Sequence, residues 1–160
     1  MVPTNPRTTD TCRVPEFLAR FDPSNVERLR LTGGDLTQQS GRAFLRVFRL
    51  MKHLRALTIY RCKQVSHFIP TLDVVDVCSE LGELLVIDAS ADGEMIDVRY
   101  LRGMAAARAS MLVKLKFVRI ICRVKSLQVS ALQLKEYVPR VESGLRTALA
   151  SDEIDSDEEG

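Results

Sequence analysis

The sequence predicts an α/β fold, a short solenoid with about four parallel strands on one face and helices on the other. Three observations predict it. A Leu/Val/Ile spacing recurs near residues 26, 54, 81 and 115. The stretches between the copies carry amphipathic helical patterns. Hydrophobic residues are 46% of the chain, aromatics only 6%, and Trp is absent, so the core must be aliphatic. The 160 residues suffice for one domain with one sizeable core.

The clearest unit is Leu54-Arg-Ala-Leu57-Thr-Ile59-Tyr-Arg-Cys62-Lys-Gln-Val65-Ser66, apolar at unit positions 1, 4, 6, 9 and 12. Positions 4 and 6 have the period of a strand with one buried face. Cys78-Ser-Glu-Leu81-Gly-Glu-Leu84-Leu-Val86 repeats the spacing, with Leu81 27 residues after Leu54. Val26-Glu-Arg-Leu29-Arg-Leu31 begins 28 residues before Leu54, and Leu115-Lys-Phe-Val118-Arg-Ile120 begins 34 after Leu81. One copy is easily met in a Leu/Val-rich chain; the period is the signal. Each unit would make one short strand with positions 4 and 6 inward, then return across those side chains. A single unit cannot bury its apolar face, whereas stacked units bury one another's.

The returns are read as follows. Residues 40–53 form a helix with Phe44, Val47, Phe48 and Met51 on one face, opened by Ser40 or Gly41. Residues 94–110 form a second, with Met95, Val98, Leu101 and Met104 inward. Residues 129–138 form a last helix that uses Leu132, Leu134 and Val138 and stops at Pro139. Thr71–Cys78 reads as a helical return despite its Val content. Gly33-Gly34 reads as a turn after the first strand, because the Lys-Ser/Thr of a phosphate loop does not follow it.

The units LxxLxIxxCxxVS at Leu54–Ser66 and CxxLxxLxV at Cys78–Val86 resemble the leucine-rich repeats, close to the cysteine-containing subclass of F-box proteins. The C-terminal third is similar to the end of fungal F-box/leucine-rich-repeat proteins. The matching parts are Asp92-Gly93-Glu94, a Met/Val helix with a basic residue between Arg99 and Arg108, the strand at Leu115–Ile120, the segment Val129–Val141, and the acidic tail at Asp152–Glu159. The resemblance covers about residues 12–160. The Pro/Thr-rich composition of 1–11 reads as a disordered N-terminus and the self-repelling acids of 151–160 as a disordered tail, on either side of a leucine-rich-repeat domain at 12–150. The F-box departs from the pattern. About 25 residues precede the first repeat, too few for that module, and Val14-Pro15-Glu16-Phe17-Leu18 matches only its opening. What the resemblance implies is the repeat array, which in that family selects a partner protein for a ubiquitin ligase.

Composition narrows the function classes. No stretch approaches the 18 apolar residues of a membrane span, and the N-terminus has no secretory pattern, so an intracellular (cytoplasmic or nuclear) location is expected. Cys12, Cys62, Cys78 and Cys122 lie far apart without a metal-ligand spacing, and read as small buried hydrophobes. His53 and His67 fit no catalytic arrangement, so the expectation is no enzyme, no metal and no cofactor. Charge is unevenly spread: Ser151–Gly160 holds six acids and no base, leaving 15 acids against 23 Lys/Arg in the rest. Ser156-Asp-Glu-Glu also fits the substrate pattern of an acid-directed kinase.

Unit positions 3, 5 and 7 project from the strands away from the core. They place Arg28, Arg30 and Thr32; Ala56, Thr58 and Tyr60; Glu83, Leu85 and Ile87; and Phe117, Arg119 and Ile121 on a concave face. Leu85, Ile87 and Ile121 are expected there as exposed apolar groups, with Tyr60 and the arginines as anchors, a mixture suited to a protein partner. Arg42, Arg46, Arg49 and Lys52 form a basic stripe on the opposite side. The leading expectation is a protein-recognition module, with ubiquitin ligase components among its partners. The alternatives are a basic nucleic-acid-associated protein using the stripe, which lacks interleaved aromatics, and a truncated array without its own function.

Overall fold

A computed structural model describes residues 22–36, 38–74, 76–87, 97–122 and 132–145. The expectations at 1–11, 14–18, 92–96, 129–131 and 151–160 lie outside these residues. Five strands, β1 (Arg28–Thr32), β2 (Ala56–Tyr60), β3 (Glu83–Ile87), β4 (Phe117–Cys122) and β5 (Arg140–Leu145), form one all-parallel sheet in chain order. Among the described residues, three helices, α1 (Gln38–Phe48), the single turn α2 (Val65–Phe68) and α3 (Val98–Ser110), lie between strands. No helix among the described residues is long and apolar enough to cross a membrane.

The register aligns the repeated sequence positions without slippage. Leu29, Leu57, Leu84, Val118 and Val141 pair across the sheet, as do Leu31, Ile59, Val86, Ile120 and Ser143. The same hydrogen bond recurs where strands begin. The Glu27 carbonyl accepts from the N–H groups of Arg55 (2.8 Å) and Ala56 (3.1 Å). The Arg55 carbonyl accepts from Gly82 and Glu83, both at 3.0 Å, and the Gly82 carbonyl from Lys116 (2.8 Å) and Phe117 (3.0 Å). A forked acceptor one residue before β1, β2 and β3 fixes the register of the next strand, and the Lys116 carbonyl before β4 accepts from the Arg140 N–H alone among the described residues (3.2 Å). Past the strands, Gly33 donates to the Tyr60 carbonyl (3.0 Å) and Arg61 to that of Ile87 (2.9 Å). Gly33 (φ +68°) and Arg61 (φ +51°) both take the left-handed conformation there, so the Gly33-Gly34 turn lies where the sequence puts it.

The core is largely aliphatic. Leu54, Leu57, Ile59, Cys62 and Val65 of the clearest unit are buried, as are Cys78, Leu81, Leu84 and Val86 of the next. Helix α1 opens two residues before Ser40, and its expected face (Phe44, Val47, Phe48 and Met51) is buried. Phe44, Phe48 and Phe68 form a three-ring cluster with centroids 5.1–5.8 Å apart. In α3, capped by the Asp97 carboxylate accepting from the Arg99 N–H (2.9 Å), Val98, Leu101 and Met104 face inward.

Three segments differ from expectation. The sheet has five strands rather than about four. The segment before the fifth is a short 3-10 helix at Leu132–Glu136, not an α-helix. With three residues per turn it sets Leu134 and Tyr137 on one side and turns Leu132 outward. Thr71–Cys78 is not a helical return: a 3-10 turn covers Ile69–Asp73, and Asp76 and Cys78 then take φ of +68° and +44°. The irregular backbone leaves carbonyls without helical partners, and Arg108 of α3 supplies them. Its side chain is 0% exposed. Nη1 donates to the carbonyls of Leu72 (2.9 Å) and Val77 (3.2 Å), and Nη2 to that of Cys78 (2.8 Å). Burial pushes this guanidinium below its ordinary pKa, and its Nε is buried without a partner.

Arg108→Ala takes this donor from the buried carbonyls of Leu72 and Val77, leaves the Cys78 carbonyl with the Leu81 N–H alone among the described residues (2.9 Å), and opens a cavity, so equilibrium denaturation is expected to show a loss of about 3 kcal/mol. Arg108→Lys should recover only part, since one ammonium cannot span both sets of acceptors. At the end of α3, Val113 donates to the Arg108 carbonyl (3.0 Å) around Leu112, which has φ +62° and is 88% exposed. A glycine suits that position better, so Leu112→Gly should raise stability by about 1 kcal/mol in the same assay.

Candidate functional site

Because the strands are parallel and in register, their outward side chains line up in three rows. The first is Arg28, Ala56, Glu83, Phe117 and Arg140; the second Arg30, Thr58, Leu85, Arg119 and Glu142; the third Thr32, Tyr60, Ile87, Ile121 and Gly144. The structure thus gathers every residue expected on the outward face onto one side of the sheet. Β-strand alternation does this work: inward Leu29 and Leu31 force Arg28 and Arg30 out.

Exposure across the face is uneven. Arg28, Arg30 and Glu83 are exposed, and Thr58, Leu85, Phe117, Arg119 and Ile121 are half-buried. Tyr60 (8% exposed) and Ile87 (5%) are buried, which corrects the expectation that Ile87 is an exposed apolar group. They are neighbours in the third row, where Ile87 is flanked by Tyr60 and Ile121 at the spacing of adjacent strands, about 4.8 Å. The Tyr60 ring is covered by two guanidiniums, those of Arg30 (4.7 Å to the centroid) and Arg61 (5.1 Å). The ring thereby contributes a cation–π platform rather than open apolar area.

The β4–β5 side repeats the theme. Arg140 lies 4.7 Å and Arg119 5.6 Å from the Phe117 ring centroid. Glu142 joins them: one carboxylate oxygen accepts from Arg119 Nε (2.9 Å) and Nη2 (2.8 Å), the other from Arg140. These donors hold the Glu142 carboxyl below the usual carboxylate range. The half-buried Leu85 and Thr58 lie between the two arginine–aromatic groups.

Arg61, Arg140 and Glu142 were not foreseen on this face. The signal for the last two is Val138-x-x-Val141-x-Ser143, which continues the recurring spacing with a serine at the second inward position. The side chains of Arg42, Arg46, Arg49 and Lys52 are exposed on the helical side, away from this face, and none of them is ion-paired among the described residues.

No group of three His, Cys, Asp or Glu among the described residues is placed to hold a metal. His53 is exposed and 3.2 Å from Glu80 Oε1; His67 is exposed. Cys62, Cys78 and Cys122 are buried free thiols. Burial pushes the Cys78 thiol up to about 12, against the opposing field of Arg108. No protein-family model matches the chain, and no curated protein matches it.

A thiolate is the reactive form, so Cys78 should resist a disulfide reagent at pH 8 in the native chain, as should Cys62 and Cys122 because burial keeps the reagent out, and all three should react at once in denaturant. Fast native modification of Cys78, located by peptide mapping, would contradict its placement.

Proposed function

We propose that the chain is a short leucine-rich-repeat solenoid that recognises a protein partner through the outward face of its sheet. The observation that carries this reading is the register, which turns five separate strands into one continuous surface of three rows. The forked carbonyl before β1, β2 and β3 and the left-handed residue after β1 and β2 support the repeat reading, since equivalent positions make equivalent bonds.

The surface has the chemistry of a protein interface. A half-buried aliphatic centre at Thr58 and Leu85 is flanked by arginines stacked on Tyr60 and Phe117. Affinity comes from completing the burial of Leu85 and Phe117, where one fully buried aliphatic side chain is worth about 1.5–3 kcal/mol. Arg28, Arg30 and Arg119 orient an incoming acidic or carbonyl-rich segment. The stacking and the Glu142 bridge hold the guanidiniums in place beforehand, which lowers the entropy lost on binding. Substrate selection for a ubiquitin ligase is the setting that the F-box/leucine-rich-repeat resemblance suggests.

Leu85→Arg tests the reading, because it puts a charge at the centre of the face without touching the core. A photo-crosslinking residue at Thr58 should capture a partner that one on the helical side at Ser110 does not. Leu85→Arg should reduce that capture about tenfold or more while leaving the circular dichroism unchanged. Equal capture from both positions, or capture indifferent to Leu85→Arg, would remove the outward face as the binding surface.

A further inference from the structure

Several arginines among the described residues have acidic partners. Arg99 pairs with Asp97, Arg102 with Glu136, Arg55 with Glu80, and Arg119 and Arg140 with Glu142. The stripe on and just after α1 is different. Arg42, Arg46 and Arg49 fall at i, i+4 and i+7, on one side of a helical path that hydrogen bonding continues to Met51, and Lys52 follows in the turn beyond it. All four are exposed, and no acid of the described residues pairs with them. Helix α1 contains no acid, and residues 42–63 hold seven Lys/Arg and no Asp or Glu. Beside the stripe Leu50 is 56% exposed. A row of cations around one open leucine suits a strongly acidic segment with one apolar residue.

The chain contains such a segment. Ser151–Gly160 reads Ser-Asp-Glu-Ile-Asp-Ser-Asp-Glu-Glu-Gly, six acids around Ile154. We propose that this acidic segment docks in cis on the Arg42/Arg46/Arg49/Lys52 stripe, with Ile154 against Leu50. The reach is sufficient for an extended linker. Strand β5 is four strands from β1, about 19 Å sideways at the usual spacing, and a packed layer lies about 10 Å from the sheet, so the near end of the stripe is about 20 Å or a little more from the end of β5. Residues 146–154 span up to about 30 Å when extended. A basic helix without exposed aromatics offers nothing for bases to stack on, since Phe44 and Phe48 are in the core; this favours an acidic peptide over nucleic acid. The contact is made of exposed charges, so it is weak, screened by salt, and strengthened by added negative charge at Ser156.

The test uses the full chain carrying Cys12→Ser and Ser156→Cys, with a nitroxide on the new thiol. At low salt, the amides from Arg42 to Lys52 are expected to broaden beyond the rest of the protein. The broadening should be lost at high salt and in the Arg42→Gln/Arg46→Gln/Arg49→Gln/Lys52→Gln variant. The four substituted side chains are all exposed, and circular dichroism verifies that variant's fold. Ile154→Ser should weaken the effect without abolishing it. Four results overturn the proposal: no broadening at low salt; broadening that survives loss of the four cations; broadening seen only between a nitroxide-bearing copy and a separate isotope-labelled copy; or stripe amides that respond to a short DNA duplex while showing no contact with the nitroxide.

Discussion

A strand in a parallel sheet cannot turn straight back onto its neighbour; the chain must first return to the starting edge. That constraint organises everything else here. Five strands in chain order require a return between each pair, and the returns cover the inward side chains. The forked acceptors at Glu27, Arg55 and Gly82 keep the strands level. The same two positions per strand therefore stay inside, and the same three stay outside. Segregation of aliphatic from charged residues follows from pleat and register.

The returns need not be alike, and they are not. One holds a full helix whose stacked Phe44 and Phe48 meet Phe68 edge-on, one a single turn followed by left-handed residues, one the longer helix α3, and one a 3-10 helix. The irregular return before β3 stays folded because Arg108 reaches across from α3 and donates to its carbonyls. A lysine or an aliphatic residue cannot satisfy several divergent acceptors, so a buried guanidinium stands where a regular helix would have used its own N–H groups. Cys78 lies in this same dry neighbourhood, which is why its thiol resists ionisation.

Much of the fold was legible because the inward spacing is rigid. Leu54, Leu57, Ile59, Cys62 and Val65 had one physical reading, and all are buried. The outward residues followed from the same alternation, so Arg28 through Arg119 were placed on one face from spacing alone. The fifth strand escaped because Ser143 and Gly144 interrupt its aliphatic pattern, although Val138 and Val141 keep the interval. The burial of Tyr60 and Ile87 was not legible, since it comes from neighbours on adjacent strands and from Arg61, which a left-handed turn carries back over the ring. The role of Arg108 was hidden for a similar reason: in sequence it is one more arginine on an amphipathic helix, and its acceptors are 27 or more residues away.

The proposed recognition surface exists only if the rows run unbroken from β1 to β5. The most direct measurement is a set of nuclear Overhauser contacts between backbone protons across adjacent strands in the labelled chain. Connectivities of the parallel type should link Arg30 to Thr58, Thr58 to Leu85, Leu85 to Arg119 and Arg119 to Glu142. Close Hα–Hα pairs of the antiparallel type, or a one-residue shift that puts Leu84 beside Thr58, would contradict the account and dissolve the face with it.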